Sequence, residues 1–192
     1  PKLDVLINNA GIQRNDYRQT ADGFEETFQV NHLAPFLLTN LLLERAKASA
    51  PARIVTVSSM IHASSLDLGN LNGEKSFDGR EAYSRSKLCN VLFTYALDRR
   101  LEGTGVTANC LHPGVIGTKL LRAGFGGGGG SVSEGAQTSV YLALSEEVKD
   151  AGGKYFRDKQ ENTSHQISYD RELQEKLWSI SAGMTELNRE PG

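Results

Sequence analysis

Three short apolar runs, each halted by a small polar loop and followed by helical spacing, constrain this chain more than any other feature of its sequence. Residues 3–7 (Leu-Asp-Val-Leu-Ile) stop at Asn8-Asn9-Ala10-Gly11. Residues 53–57 stop at Ser58-Ser59, and residues 106–111 stop at His112-Pro113-Gly114. Runs of this length, rich in β-branched residues and closed by turn formers, read as buried strands. Between the first two, Phe24, Phe28, Leu33, Phe36, Leu37 and Leu41 recur at near-helical spacing until charges appear at Glu44-Arg45-Ala46-Lys47. This predicts a helix from about residue 21, with a kink or break near Pro35. A long loop is expected over 60–80 and a second helix over 81–101. Further helices are expected over 135–144 and 170–182, with an edge strand at Lys154-Tyr155-Phe156. Strand, polar loop and helix in alternation predict an α/β fold, a parallel sheet with helices on both faces. In such folds ligands lie outside the carboxyl ends of the strands, where these loops gather.

At 192 residues the chain is one domain or part of one. Apolar residues make up 39% and charged residues 23%, the proportions of a globular protein rather than a disordered one. Basic and acidic residues nearly cancel, 21 against 23, and no basic run is available to neutralise a phosphate backbone. Nucleic acid is therefore not an expected partner. Cys89 and Cys110 lack metal-ligand spacing, and so small a number fits a reducing compartment; no metal is expected. The densest apolar stretch, from Phe36 to Leu43, is far shorter than the roughly 18 residues that span a bilayer, and no signal-peptide pattern precedes Leu3.

The chemistry-bearing segment is Tyr83-Ser84-Arg85-Ser86-Lys87. Four residues apart on a helix, the phenol and the ammonium project from one face within reach of a common ligand. A nearby cation favours phenolate and brings a tyrosine toward acid/base duty near neutrality. Such a pair also occurs by chance on helices, so its surroundings decide its weight.

Those surroundings are Asn8-Asn9-Ala10-Gly11, Asn31, Ser58-Ser59 and Pro113-Gly114-Val115-Ile116-Gly117-Thr118. In this order the sequence resembles the short-chain dehydrogenase/reductases over nearly its whole length. Three further segments, Leu111-His112-Pro113-Gly114-Val115, Glu134-Gly135-Ala136-Gln137-Thr138-Ser139 and Gly153-Lys154-Tyr155-Phe156, resemble the retinol dehydrogenase branch. So does the run from Tyr83 to Phe93, which is also similar to the WW-domain oxidoreductases.

The resemblance implies a Rossmann-like doubly wound parallel sheet and a site of four catalytic residues. Tyr83 would be the general acid/base, and Lys87 would lower its pKa and hold the nicotinamide ribose. Ser59 would bond the reacting oxygen, with Ser58 as its rival, and Asn31 would anchor a proton-relaying water. Considered as residues alone, Ser59 could equally cap a turn, and Asn31 could satisfy a kink in an apolar helix. Asn9, Ala10 and Gly11 would floor the adenosine side of the cofactor, and Pro113, Gly114, Ile116 and Thr118 would lie along the nicotinamide and phosphates. NADP(H) is expected in preference to NAD(H), although the residue that selects between them in the family has no counterpart in this sequence. A small apolar alcohol or carbonyl compound is the expected substrate, retinoids first. A homodimer and a cytoplasmic or cytosol-facing, membrane-associated setting are also compatible with the family.

The sequence departs from the family in two places. The opening strand-helix units with their glycine-rich pyrophosphate turn have no counterpart, so residues 1–192 are expected to be a partial domain, the C-terminal portion of the fold. Residues 3–7 would then form an apolar sheet edge, with low stability and little cofactor affinity for the chain alone. Second, Gly124-Phe125-Gly126-Gly127-Gly128-Gly129 is a literal G-x-G-x-x-G, but it follows Leu120-Leu121-Arg122 rather than a strand. It is rejected as a nucleotide site, and 123–133 are expected to be a flexible glycine-rich loop. A serine hydrolase is discarded because no G-x-S-x-G is present. A catalytically inactive scaffold of the same fold remains the alternative function.

Overall fold

The computed structural model describes residues 1–187, with side chains omitted at 123–125; the last five residues of the expected domain lie outside the described residues. One five-stranded sheet organises the chain, in the order β1 (Val5–Asn8), β2 (Ala52–Val57), β3 (Val106–His112), β4 (Lys154–Arg157) and β5 (Gln160–Asn162). The first three pairings are parallel and β5 returns antiparallel to β4. The sequence places an edge strand at 154–156. β4 instead pairs on both sides and the three-residue β5 forms the edge, because the turn at Asp158-Lys159, both at positive φ, folds the chain back as a hairpin.

Side chains alternate across β2 and β3 as the period-2 pleat requires. Ile54 and Ala108 face a core with Phe36, Phe93 and Leu97, from helices α2 (Ala34–Lys47) and α3 (Gly79–Arg100). Val55, Val57 and Leu111 face the opposite core with Leu142 of α5 (Val132–Leu144) and Phe156. Helix α3 is buried over most of its length, covered on its outer side by α6 (Arg171–Met184), whose Trp178 meets Phe36 and Phe93 edge-on or tilted. Asp78 caps α3 by accepting from the Arg80 and Glu81 N–H groups, and Arg99 and Arg100 complement the dipole at its other end.

The helix expected from residue 21 starts later. A single turn, α1 (Glu26–Phe28), is capped by the buried Glu25 carboxylate, which accepts from the Thr27 and Phe28 N–H groups. A π-helical turn, Gln29–Leu33, follows before α2. Pro35 lies in the first turn of α2, just after that irregular segment, where its missing N–H costs no helical bond. Among the described residues β1 pairs with β2 alone, and Ile7 of β1 and Leu38 and Leu41 of α2 are exposed.

The segment expected as a glycine-rich loop is partly regular. α4 (Lys119–Phe125) enters it, and Ser131 and Glu134 close a capping box that starts α5 at Val132. Between them Gly130 bridges to Ile116, its N–H donating to Val115 O at 2.8 Å and its carbonyl accepting from Gly117 N at 2.9 Å. Gly129 lies at φ +100°, and a Cβ there would come 2.6 Å from Val115 O. Only glycine fits so close an approach.

Candidate active site

The carboxyl ends of β1, β2 and β3 open into one cavity of about 810 Å³. Ser59, Tyr83 and Lys87 line it with Pro113 and Gly114, and Asn9, Ala10, Gly11, Ile116 and Thr118 line it too. Ten of the eleven residues singled out from the sequence thus share one cavity. Asn31 is the exception, being fully buried behind it.

Each is placed by local structure. Tyr83 and Lys87 lie one turn apart on α3, both nearly inaccessible. The Tyr83 hydroxyl hydrogen-bonds the Ser59 side chain, whose Oγ also accepts from the Ile61 N–H at 3.0 Å. Ser59 therefore caps its turn and meets the tyrosine at once. Ser58 is committed elsewhere, donating to the Lys87 carbonyl at 2.7 Å and pinning the end of β2 to α3.

Lys87 Nζ donates to Val57 O at 3.0 Å and lies 5.6 Å from the centroid of the Tyr83 ring. Burial brings its pKa down to about 8. Burial also pushes the Tyr83 phenol above its ordinary value, and the bond to Ser59 opposes that rise. The ammonium stands over the ring, and the Ser59 side chain bonds the phenolic oxygen.

Asn31 occupies the middle of the π-helical turn. Its Oδ1 accepts from Ile12 N at 2.8 Å, and its Nδ2 donates to Ile12 O and Ser86 Oγ, each at 2.9 Å. It holds the loop after β1 against α3. A Cβ on Gly11 would stand 3.4 Å from Lys87 Nζ and 3.5 Å from Asn31 Oδ1, so that glycine keeps the lysine and the asparagine close beneath one backbone segment. A flat ligand can approach such a bare backbone closely. The bare Gly11 segment, the lysine below it and the mouth at Pro113-Gly114 fit a nicotinamide nucleotide.

Apolar side chains from Met60, Ile61, Leu120, Leu121, Val132 and Val140 complete the cavity. The sequence did not single these out, because they come from three separate segments and carry no motif. Also missed was the contact behind Ser59, where His62 and Tyr155 both reach its carbonyl oxygen. Among the described residues, no cluster of His, Cys, Asp or Glu is arranged to hold a metal ion, and no helix is long and apolar enough to cross a membrane.

A parallel sheet with helices on both faces and a Tyr-Ser-Lys wall at its carboxyl edge is the Rossmann-like arrangement of nucleotide-dependent oxidoreductases. Residues 1–125 match the short chain dehydrogenase family, and the chain belongs to it. Retinol dehydrogenase 14 of Homo sapiens is 48% identical over 205 residues, and the alignment covers 97% of this chain and 60% of that protein. Retinol dehydrogenase 13 of Homo sapiens is 44% identical, covering 97% and 61% respectively. The chain thus spans about 60% of the length of these relatives. Among solved structures, a putative uncharacterized protein from Mycobacterium Paratuberculosis superimposes with a TM-score of 0.79 at 35% identity, covering 96% of this chain and 68% of that one. A gluconate 5-dehydrogenase from Burkholderia cenocepacia, solved with NADP and tartrate, shares the fold at a TM-score of 0.61 and 23% identity, covering 81% and 62%.

Proposed function

We propose that this chain carries the catalytic wall of an NAD(P)-dependent oxidoreductase that interconverts an apolar alcohol and its aldehyde or ketone, with NADP(H) preferred and retinoids the leading substrates. The observation that carries the proposal is the convergence of Tyr83, Ser59 and Lys87 on one cavity that is also lined by apolar side chains and by the Gly11 and Pro113-Gly114 segments. A nicotinamide, when bound, supplies the hydride acceptor or donor. The protein's part is the proton and the oxygen. Tyr83 gives its phenolic proton to the carbonyl oxygen in reduction and takes it back in oxidation. Ser59 bonds the same oxygen and stabilises its developing charge. Lys87, buried and half protonated near pH 8, would hold the ribose hydroxyls of the cofactor and stands by as the cation that a forming phenolate needs. Asn31 keeps the Gly11 loop seated over the lysine. Met60, Ile61, Leu120 and Leu121 exclude water and favour a hydrocarbon substrate.

The names and identities of the retinol dehydrogenases support the substrate class, and the bound NADP of the gluconate 5-dehydrogenase supports the cofactor class. The test is oxidation of NADPH and of NADH with retinal and with straight-chain aldehydes of increasing length. Turnover that favours NADPH, rises with chain length and is lost in Tyr83→Phe is expected. Undiminished turnover in Tyr83→Phe overturns the assignment of the acid/base, and absence of turnover with every aldehyde favours the inactive scaffold.

A further inference from the structure

Ser59 is held from behind as well as presented to Tyr83. Its carbonyl oxygen accepts from His62 Nδ1 at 2.7 Å and from the Tyr155 hydroxyl at 3.1 Å. The other ring nitrogen of His62, Nε2, receives the His165 backbone N–H at 3.0 Å. A nitrogen that accepts an N–H carries no proton, so the neutral ring holds its proton on Nδ1 and donates it to Ser59. The next residue, Ala63, donates its N–H to the Ser84 carbonyl at 3.0 Å, tying the same turn to α3 immediately after Tyr83. The ring itself is buried, 5.5 Å from the Tyr155 ring and 4.8 Å from the His165 ring, centroid to centroid.

We propose that His62, as its Nδ1–H tautomer, is a positioning residue that fixes the Ser59 hydroxyl against Tyr83, with Tyr155 as the second donor. The proposal deepens the reading of Ser59 as the bond to the reacting oxygen and rests on it. The turn after β2 and strand β4 meet on one carbonyl group through His62 and Tyr155, the loop at His165 holds the His62 ring from its other side, and the side chain of the residue so held is the one that touches the acid/base. Adding a proton at Nε2 would set it against the His165 N–H, donor against donor, and release that loop. The groups facing His62 are Ser59 and Tyr155 through hydrogen bonds, His165 through its ring, and His112 of β3 through charge. Burial holds the His62 imidazole below its ordinary value, the bond to Ser59 opposing and His165 adding to the effect.

The test uses two variants and a label on the tyrosine. His62→Asn keeps an N–H near the Nδ1 position, whereas His62→Phe keeps a ring and loses the donor. Histidine ring ¹⁵N shifts of the wild type are expected to report the Nδ1–H tautomer for His62. The ¹³Cζ resonance of Tyr83, which senses hydrogen bonding at the phenol oxygen, is expected to shift in His62→Phe and to stay near its wild-type position in His62→Asn. In the wild type it should also shift on acidification with a midpoint below 6.5, a step that His62→Phe lacks. Where turnover is measurable, kcat should fall in His62→Phe with KM nearly unchanged and be restored in part by Asn. Should His62→Phe not fold, Tyr155→Phe removes the second donor and is expected to shift Tyr83 in the same direction. An Nε2–H tautomer, or an unmoved Tyr83 resonance in a folded His62→Phe, overturns the proposal. Because these resonances need no cofactor, a chain without turnover would sink the proposed function and still leave this inference decided.

Discussion

Replacing His32 with Gln should remove a large share of the acid sensitivity of this fold. His32 is fully buried in the π-helical turn, its ring stacked on Phe28 at 5.3 Å, with Nε2 2.9 Å from Ser181 Oγ and Nδ1 3.4 Å from Asn90 Oδ1. It thereby joins the start of α2 to α3 and α6. The groups that bond it are neutral, so burial dominates and brings its pKa from 6.5 down to about 4, the Asn90 bond opposing. The unfolded chain takes up this proton near pH 6.5, and the folded chain resists it until about pH 4. Stability is therefore intact above the first value and falls as pH drops toward the second. At about 1.4 kcal/mol per pKa unit the full loss is about 3 kcal/mol. His112, also lowered to about 4 mainly by burial, adds a loss of its own, so the comparison of wild type with His32→Gln isolates the contribution of His32. Glutamine can still reach Ser181 and does not titrate. The assay is urea unfolding of both proteins at about pH 7.5 and about pH 4.5, where the wild type should lose about 2 to 3 kcal/mol more than the variant. Equal losses in the two proteins would refute the reasoning.

Other substitutions separate chemistry from structure. Tyr83→Phe should lower kcat by about 10²- to 10⁴-fold while the thermal midpoint moves little, because the ring stays and one hydroxyl goes. Ser59→Ala should show a similar loss of turnover. Ser58→Ala should instead cost about 1 kcal/mol in denaturant unfolding, through its buried bond to the Lys87 carbonyl, and lower turnover less than Ser59→Ala does. Lys87 carries a cost of burying its charge below about pH 8, so the wild type should gain stability as pH rises from about 8 toward 10.5, a rise absent from Lys87→Met. Gly129→Val should lower both the melting temperature and the affinity for NADPH, since its Cβ would press on Val115 O 2.6 Å away; an unchanged affinity would separate the glycine strap from the Ile116 segment.

The strands were legible because parallel pairing buries both faces and leaves near-continuous apolar runs. Residues 53–57 and 106–111 lie within a residue of the ends of β2 and β3, and the polar loops after them do gather at one cavity. The start of the first helix was not legible. The spacing of Phe24 and Phe28 suits a helix, yet the helix starts only at Glu26, where Glu25 supplies the cap, and a π turn then shifts the phase before Ala34. β5 was missed because Gln160, Glu161 and Asn162 are all exposed, and a polar three-residue edge strand has no apolar period to read. Within the site, Tyr83, Lys87 and Ser59 were legible through the resemblance that their order and setting carry, the helical spacing of the pair being weak by itself. The resemblance named Ser59 with Ser58 as its rival, and because adjacent side chains on an extended segment point to opposite sides, Ser59 meets Tyr83 while Ser58 bonds the Lys87 carbonyl. The clasp of His62 and Tyr155 on Ser59, backed by His165, could not be read from the sequence, because Ser59 and Tyr155 are 96 positions apart.

Hydride transfer with proton delivery by Tyr83 is the step on which the proposed function depends. Deuterium-labelled NADPH and retinal should be incubated with the longest translation product that contains this chain, because the chain spans about 60% of its curated relatives. Mass spectrometry of the alcohol then counts the deuterium transferred. One deuterium per alcohol, at a rate about 100-fold or more lower in Tyr83→Phe, is the result expected. Alcohol formed at the same rate in both proteins, or no labelled alcohol from the wild type, would contradict it.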